Sequence, residues 1–201
     1  MSKINNKILK TTILTLFSVF IISCESQEGE FDPPNKTNIK SGNAEKIKSD
    51  GTAMKVLKKS DKMAKIWSED SILVNINGVD LDQSGVNKLG ANSSKWIITY
   101  FSPKKNVGEN AYTITFSGNG SVTWVESNSS YQDKNSIANF SIDSDKAFKT
   151  ATTDGLVAGT IYSADLSKND KGLTWVVGSK KDPKASYEIK KVDGISGTSI
   201  K

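Results

Sequence analysis

Histidine and arginine are both missing from this chain, and cysteine occurs once, at Cys24. No histidine means no imidazole general base, no His-based triad and no Cys/His zinc site. Without arginine there are no guanidinium forks for bases and phosphates, which argues against a nucleic-acid partner. A single cysteine cannot form a disulfide within the chain, so the fold must stand on its core. Proline is scarce as well, with four residues, two of them adjacent at Pro33-Pro34.

The charge that remains is balanced. All 27 basic residues are lysines, against 22 acids. Lys3, Lys7 and Lys10 lie at the start, so the chain from Cys24 onward carries 24 lysines and a net charge of only +2. A near-neutral balance with no basic block describes a solvated surface rather than an electrostatic footprint for a polyanion.

Those three lysines precede an uncharged run from Thr11 to Ile22 that ends in Ile21-Ile22-Ser23-Cys24. A basic start, a short apolar stretch and a small residue before a cleavage point make a secretory signal, and the run is short for a bilayer span. The ending resembles a bacterial lipobox. That resemblance implies cleavage after residue 23, acylation of the Cys24 thiol (palmitate among the acyl chains) and membrane attachment through that residue. A single acyl chain binds only marginally; the several chains usual in bacterial lipoproteins imply stable anchoring in the cell envelope, at the outer membrane and with a surface-exposed location open.

Residues 24–43 read as a tether. Glu25, Glu28, Glu30 and Asp32 are followed by the proline pair and then by polar residues with little to bury. The acids directly after the cysteine resemble the surface-export signal of Bacteroidetes lipoproteins; an ordinary solvated linker has the same composition.

The folded part is expected from residue 44 onward. Ala53, Val56, Leu57, Met63, Ala64 and Trp67 recur at helical spacing, with Ser49 or Asp50 as cap. Strands are expected at 72–77, 96–101, 112–117 and 122–125, the last two joined by an Asn119-Gly120 turn. A polar stretch follows from 126 to 135. A second helix is expected after Asp143 as cap, with Ile142 and Ala147 as staple, Ala147, Phe148 and Ala151 buried and Gly155 as terminator. Three more strands fit 160–166, 173–177 and 187–192.

The two halves match. Trp96-Ile97-Ile98 corresponds to Trp175-Val176-Val177, Tyr112-Thr113-Ile114 to Tyr187-Glu188-Ile189, and Gly120-Ser121-Val122 to Gly197-Thr198-Ser199-Ile200. The offset is longer than the ~20–50 residues of solenoid repeats, so duplication of one α+β unit explains it better. Residues 142–201 also resemble a PepSY domain, through Ile142 to Phe148, Leu173 to Val177, Tyr187-Glu188-Ile189, Val192-Asp193-Gly194 and Gly197. The Asp193 to Gly197 turn has one glycine more than is usual there. The resemblance implies an α+β fold of two PepSY-like repeats, a divergent one at 44–127 and a second at 137–201, each a helix packed on a small antiparallel sheet. It also implies a link to extracytoplasmic peptidases without catalytic residues of its own.

Two short motifs invite chemistry. Asp80, Asp82 and Ser84 with Gly85 resemble the first half of a calcium loop, but position twelve is Ala91 and the preceding element is a strand. An Asp-rich turn uses the same residues. Asp70-Ser71-Ile72 matches a loose O-glycosylation pattern of Bacteroidetes secreted proteins. The tryptophans Trp67, Trp96, Trp124 and Trp175 fit either a core or a sugar-stacking platform. The expectation is a non-enzymatic, cofactor-free lipoprotein with a binding or scaffolding role, its partner an extracytoplasmic peptidase or another polypeptide; a glycan-binding accessory protein is the alternative.

Overall fold

The computed structural model describes residues 41–44, 51–129 and 135–201. Cys24, the signal and most of the tether lie outside the described residues, as do Ser49 and Asp50.

One antiparallel sheet dominates. Its strands are β1 (Ser41–Ala44), β2 (Ile72–Leu81), β3 (Lys95–Phe101), β4 (Ala111–Ser117), β5 (Val122–Ser127), β6 (Ile161–Asn169), β7 (Gly172–Lys180), β8 (Glu188–Asp193) and β9 (Ser199–Ile200). They lie in the order β1-β5-β4-β3-β2-β6-β7-β8-β9. Two helices, α1 (Ala53–Trp67) and α2 (Ser144–Thr153), complete the described fold.

This overturns the expectation of two PepSY-like repeats, each with its own small sheet. The chain halves contribute to a single nine-stranded sheet, because β2 pairs with β6 along Ile76↔Leu166, Asn77↔Asp165 and Gly78↔Ala164. That pairing joins strands about as far apart in sequence as a whole half, and buries both halves' apolar rows in one core. The sheet also starts earlier than expected: Ser41, Gly42 and Asn43, the end of the expected tether, pair with β5 together with Ala44.

The strands form for the reason their alternation implies: one face is buried and the other is not. A continuous row crosses seven strands on the buried face: Trp124, Ile114, Ile98, Ile76, Leu166, Trp175 and Val192. All seven belong to the hydrophobic core, together with Ala53, Val56, Met63 and Ala64 of α1 and Ala147, Phe148 and Ala151 of α2. Both helices therefore cover the same side. Gly78 in the next row stands under the Trp96 ring; a Cβ there would lie 2.6 Å from it.

The helix starts meet at the centre. Asp143 caps α2 by accepting from the Ser144 amide, and the same oxygen accepts from the Met54 amide of α1 at 3.0 Å. The Ser144 hydroxyl accepts from the Ala53 amide and donates to the Gly85 carbonyl. Thr52, the residue before α1, makes no side-chain cap bond. The first two amides of α1 are thus satisfied by residues of the other half, and the next two by the Thr52 carbonyl. Gly155 ends α2 in the left-handed region, at φ 84°.

Candidate functional site

The motif residues are used locally. Asp80 is the extra residue of a bulge in β2, with φ 50°. Its carboxylate accepts from Lys88 Nζ and Ser93 Oγ, each at 2.6 Å. Partial burial opposes its ionisation, but the Lys88 ammonium and the Ser93 hydroxyl prevail and hold the carboxyl below its ordinary range. Asp82 accepts instead from the Ser84 amide, the Ser84 hydroxyl and the Val86 amide. The two carboxylates serve different partners, with Ser84 spent on Asp82, in the manner of an Asx turn. Among the described residues no group of three acidic or cysteine side chains converges on a common point.

Ser71, the hydroxyl of the glycosylation pattern, is buried and makes no hydrogen bond. Its neighbour Asp70 accepts from the hydroxyls of Ser68 and Ser102 and from the Lys104 amide. The four tryptophans do not share one exposed surface. Trp96, Trp124 and Trp175 are buried; Trp67 stacks on Tyr112 with ring centroids 5.1 Å apart, and Lys105 Nζ lies 5.0 Å from its ring. The buried Tyr100 hydroxyl donates to Asp61 and shares a hydrogen bond with Ser60. Burial, then the Asp61 charge, pushes its pKa far up, so the phenol keeps its proton in neutral solution.

Two surface features remain. The first is the sheet face away from the helices. Thr123, Thr115, Ile97, Asn77, Asp165, Val176 and Lys191 form its central row across seven strands. Thr113, Thr99 and Asn75 flank it on one side, Ser117, Lys95, Val79, Ser163, Gly178 and Ile189 on the other. In the six strands from β5 to β7 these rows carry only Lys95 and Asp165 as charges. The Asp165 carboxylate is met by the side-chain amides of Asn75 at 3.0 Å and Asn77 at 3.4 Å. The Thr99 and Thr113 hydroxyls bond across the strands. A chain in which 24% of residues are charged has here a broad surface of threonine, asparagine and β-branched side chains with almost none. Loss of charge is the compositional mark of an interface centre.

The second feature is a groove of about 610 Å³ at the outer end of the second half. Lys171, Lys190, Lys191 and Lys201 line it, against Asp154 and Asp170. Thr174, Ile189 and Ile200 supply less polar lining. Four lysines thus face two acids, and the Asp154 carboxylate accepts from the Ser199 hydroxyl at 2.7 Å.

Neither surface was visible in the sequence as a motif. The signal for the face was the polar half of each alternating strand, and reading it required the cross-strand register. Among the described residues no helix is long and apolar enough to cross a membrane. Comparison with protein-family models, with curated proteins and with solved structures finds no match to this chain.

Proposed function

We propose that this chain is a lipid-anchored cell-envelope protein that binds a polypeptide partner on its open sheet face and transforms nothing. The anchor in this reading is Cys24, acylated after cleavage of the preceding segment, with the acidic stretch as spacer. The observation that carries the binding role is the open face: charge-poor, hydrogen-bonded within itself at Asp165 and Thr99, and, among the described residues, without a helix over it because α1 and α2 share the opposite side. Polar, charge-poor faces of this kind suit a folded partner, with β-branched side chains giving area and threonine and asparagine giving hydrogen bonds. The glycan alternative needs exposed coplanar aromatic rings, and the tryptophans are buried or stacked internally.

The test has two arms. Mass spectrometry of the membrane-extracted protein should find an acylated Cys24 as first residue, and Cys24→Ala should release the chain from the membrane. Crosslinking in intact cells should recover a polypeptide partner with the natural chain and lose it with Asn77→Arg plus Thr115→Arg, while thermal unfolding stays unchanged. A free thiol on a soluble product removes the anchor. Undiminished crosslinking by the arginine variant removes the face.

A further inference from the structure

The two charges on the open face are not placed at random. They lie on the strands that flank β2, Lys95 on β3 and Asp165 on β6, and they are of opposite sign. Both are incompletely partnered. Asn75 and Asn77 donate to one oxygen of Asp165, Oδ2, and none of the described residues donates to Oδ1. Lys95 forms no ion pair among the described residues, whose salt bridges join Lys88 to Asp80 and Lys105 to Glu126. The two do not serve each other. β2 lies between them, which sets their backbones about 10 Å apart sideways, and they stand in neighbouring rows, Lys95 opposite Val79 and Asp165 opposite Asn77.

This arrangement complements itself. A two-fold axis running along β2 lays the face on the same face of a second copy and exchanges β3 with β6. Each Lys95 then stands over the other copy's Asp165, one row away. A lysine stem spans that offset of about 7 Å between sheets packed about 10 Å apart. On the axis lie Asn77 and Val79, both uncharged, with Val79 37% exposed. Thr115 of β4 comes to face Val176 of β7, so these strands bring no like charges together. Six strands and three rows cover roughly 600 Å² per copy, or about 1,200 Å² in a pair, the lower bound of a specific interface. Two open sheets packed face to face at about 30° make an ordinary sandwich.

We propose that the polypeptide partner of the open face is a second copy of this chain, docked face to face about a two-fold axis along β2, with Lys95 of each copy paired to Asp165 of the other. This rests on the polypeptide-binding reading, and adds to it the identity of the partner and the register of the contact.

Sedimentation equilibrium of the full mature chain in detergent, at micromolar concentrations, is expected to show a reversible dimer. Lys95→Asp and Asp165→Lys should each weaken it about tenfold or more, because each sets like charges against one another across the interface. An equimolar mixture of the two variants should recover the dimer, since the mixed pair regains both contacts with their signs exchanged. Val79→Arg, on the axis, tests the same contact without touching either charge: two arginines meet there, and the dimer should be lost. A monomer at every concentration, a dimer that survives Lys95→Asp and Val79→Arg, or a mixture of the two folded charge variants that recovers nothing overturns the proposal. So does a dimer that persists in Asn77→Arg plus Thr115→Arg, which puts the contact elsewhere on the molecule. If the chain is monomeric while cellular crosslinking through the open face recovers a different polypeptide, this inference falls and the function stands; loss of crosslinking to any polypeptide removes both.

Discussion

The halves of this molecule, 53–127 and 144–200, use the same series of one helix and four strands and yet are not equivalent. In each, a fully buried tryptophan indole donates to a carbonyl just before the helix: Trp96 to Gly51 at 3.0 Å and Trp175 to Ile142 at 2.8 Å. The helix starts differ. The second half caps its own helix with Asp143 and lends that carboxylate, with Ser144, to the first. The outer edges differ too, one covered by β1 and the other closed over two residues by β9. What is shared between the halves builds the core. What differs makes the first half depend on the second and leaves the second with the open edge.

The strongest way to break the shared part is to remove either tryptophan. Trp96→Ala and Trp175→Ala should each lower unfolding free energy by about 3–5 kcal/mol, the range for emptying a buried aromatic site. Both rings are fully buried and each anchors one helix start. Urea denaturation should give similar losses; a large inequality would show that one half carries the core.

A smaller effect separates the two faces. Gly78→Ala forces a methyl to 2.6 Å from the Trp96 ring and 2.7 Å from Leu81, and should destabilise by ~1–3 kcal/mol through overpacking. Gly178→Ala meets Ser163 Oγ and the exposed Tyr187 ring at 3.0 Å. These can move into solvent, so less than about 1 kcal/mol is expected. Thermal unfolding of the two variants ranks them, and equal losses would contradict the assignment of Gly178 to the open face.

The caps sharpen the asymmetry. Asp143→Ala removes the acceptor of both the Ser144 and Met54 amides and should cost about 1–2 kcal/mol. Thr52→Ala, at the matching position of the first half, removes no cap bond and should change stability by less than ~0.5 kcal/mol. Comparable losses would mean that α1 is capped by its own half.

Much of this was legible because it is local. Alternation at 112–117, the helical spacing from Ala53 to Trp67, Asp143 as cap and Gly155 as terminator each depend on neighbours within a turn or a strand. The joining of β2 to β6 has no such signature: Ile76 and Leu166 are ordinary strand residues, and nothing near either names the other. Residues 41–43 of β1 read as tether because Ser-Gly-Asn lacks apolar alternation and has low strand propensity. Asp80 is ambiguous in sequence, because a bulge residue in the left-handed region and a metal ligand favour the same side chain. The open face and the β8 groove are built from residues that any solvated surface uses, so only their juxtaposition singles them out.

Acid should act on one turn in each half. Asp70, between α1 and β2, is opposed by some desolvation, but the hydroxyls of Ser68 and Ser102 and the Lys104 amide outweigh it and lower its pKa from 3.8. Asp193, between β8 and β9, is lowered by the Ser196 amide first, then by the Ser196 hydroxyl and the Ile195 amide. A carboxyl whose pKa is lower in the folded chain adds stability that is present above the unfolded pKa and is lost as pH falls through the folded value. The window thus lies below about pH 4 for both, and the effect is small because both groups are close to solvent. Asp70→Asn and Asp193→Asn should each flatten the decline of the urea midpoint between about pH 4 and pH 2 while leaving the neutral-pH midpoint nearly unchanged, because an amide oxygen still accepts. Of the two, Asp193 holds the turn that brings β9 onto β8. Its protonation should therefore loosen the short strand first, seen as faster amide exchange at Ser199 and Ile200 than at β1. If β1 exchanges faster as acid is added, the covered edge, not the half-closed one, is the weaker end of the sheet.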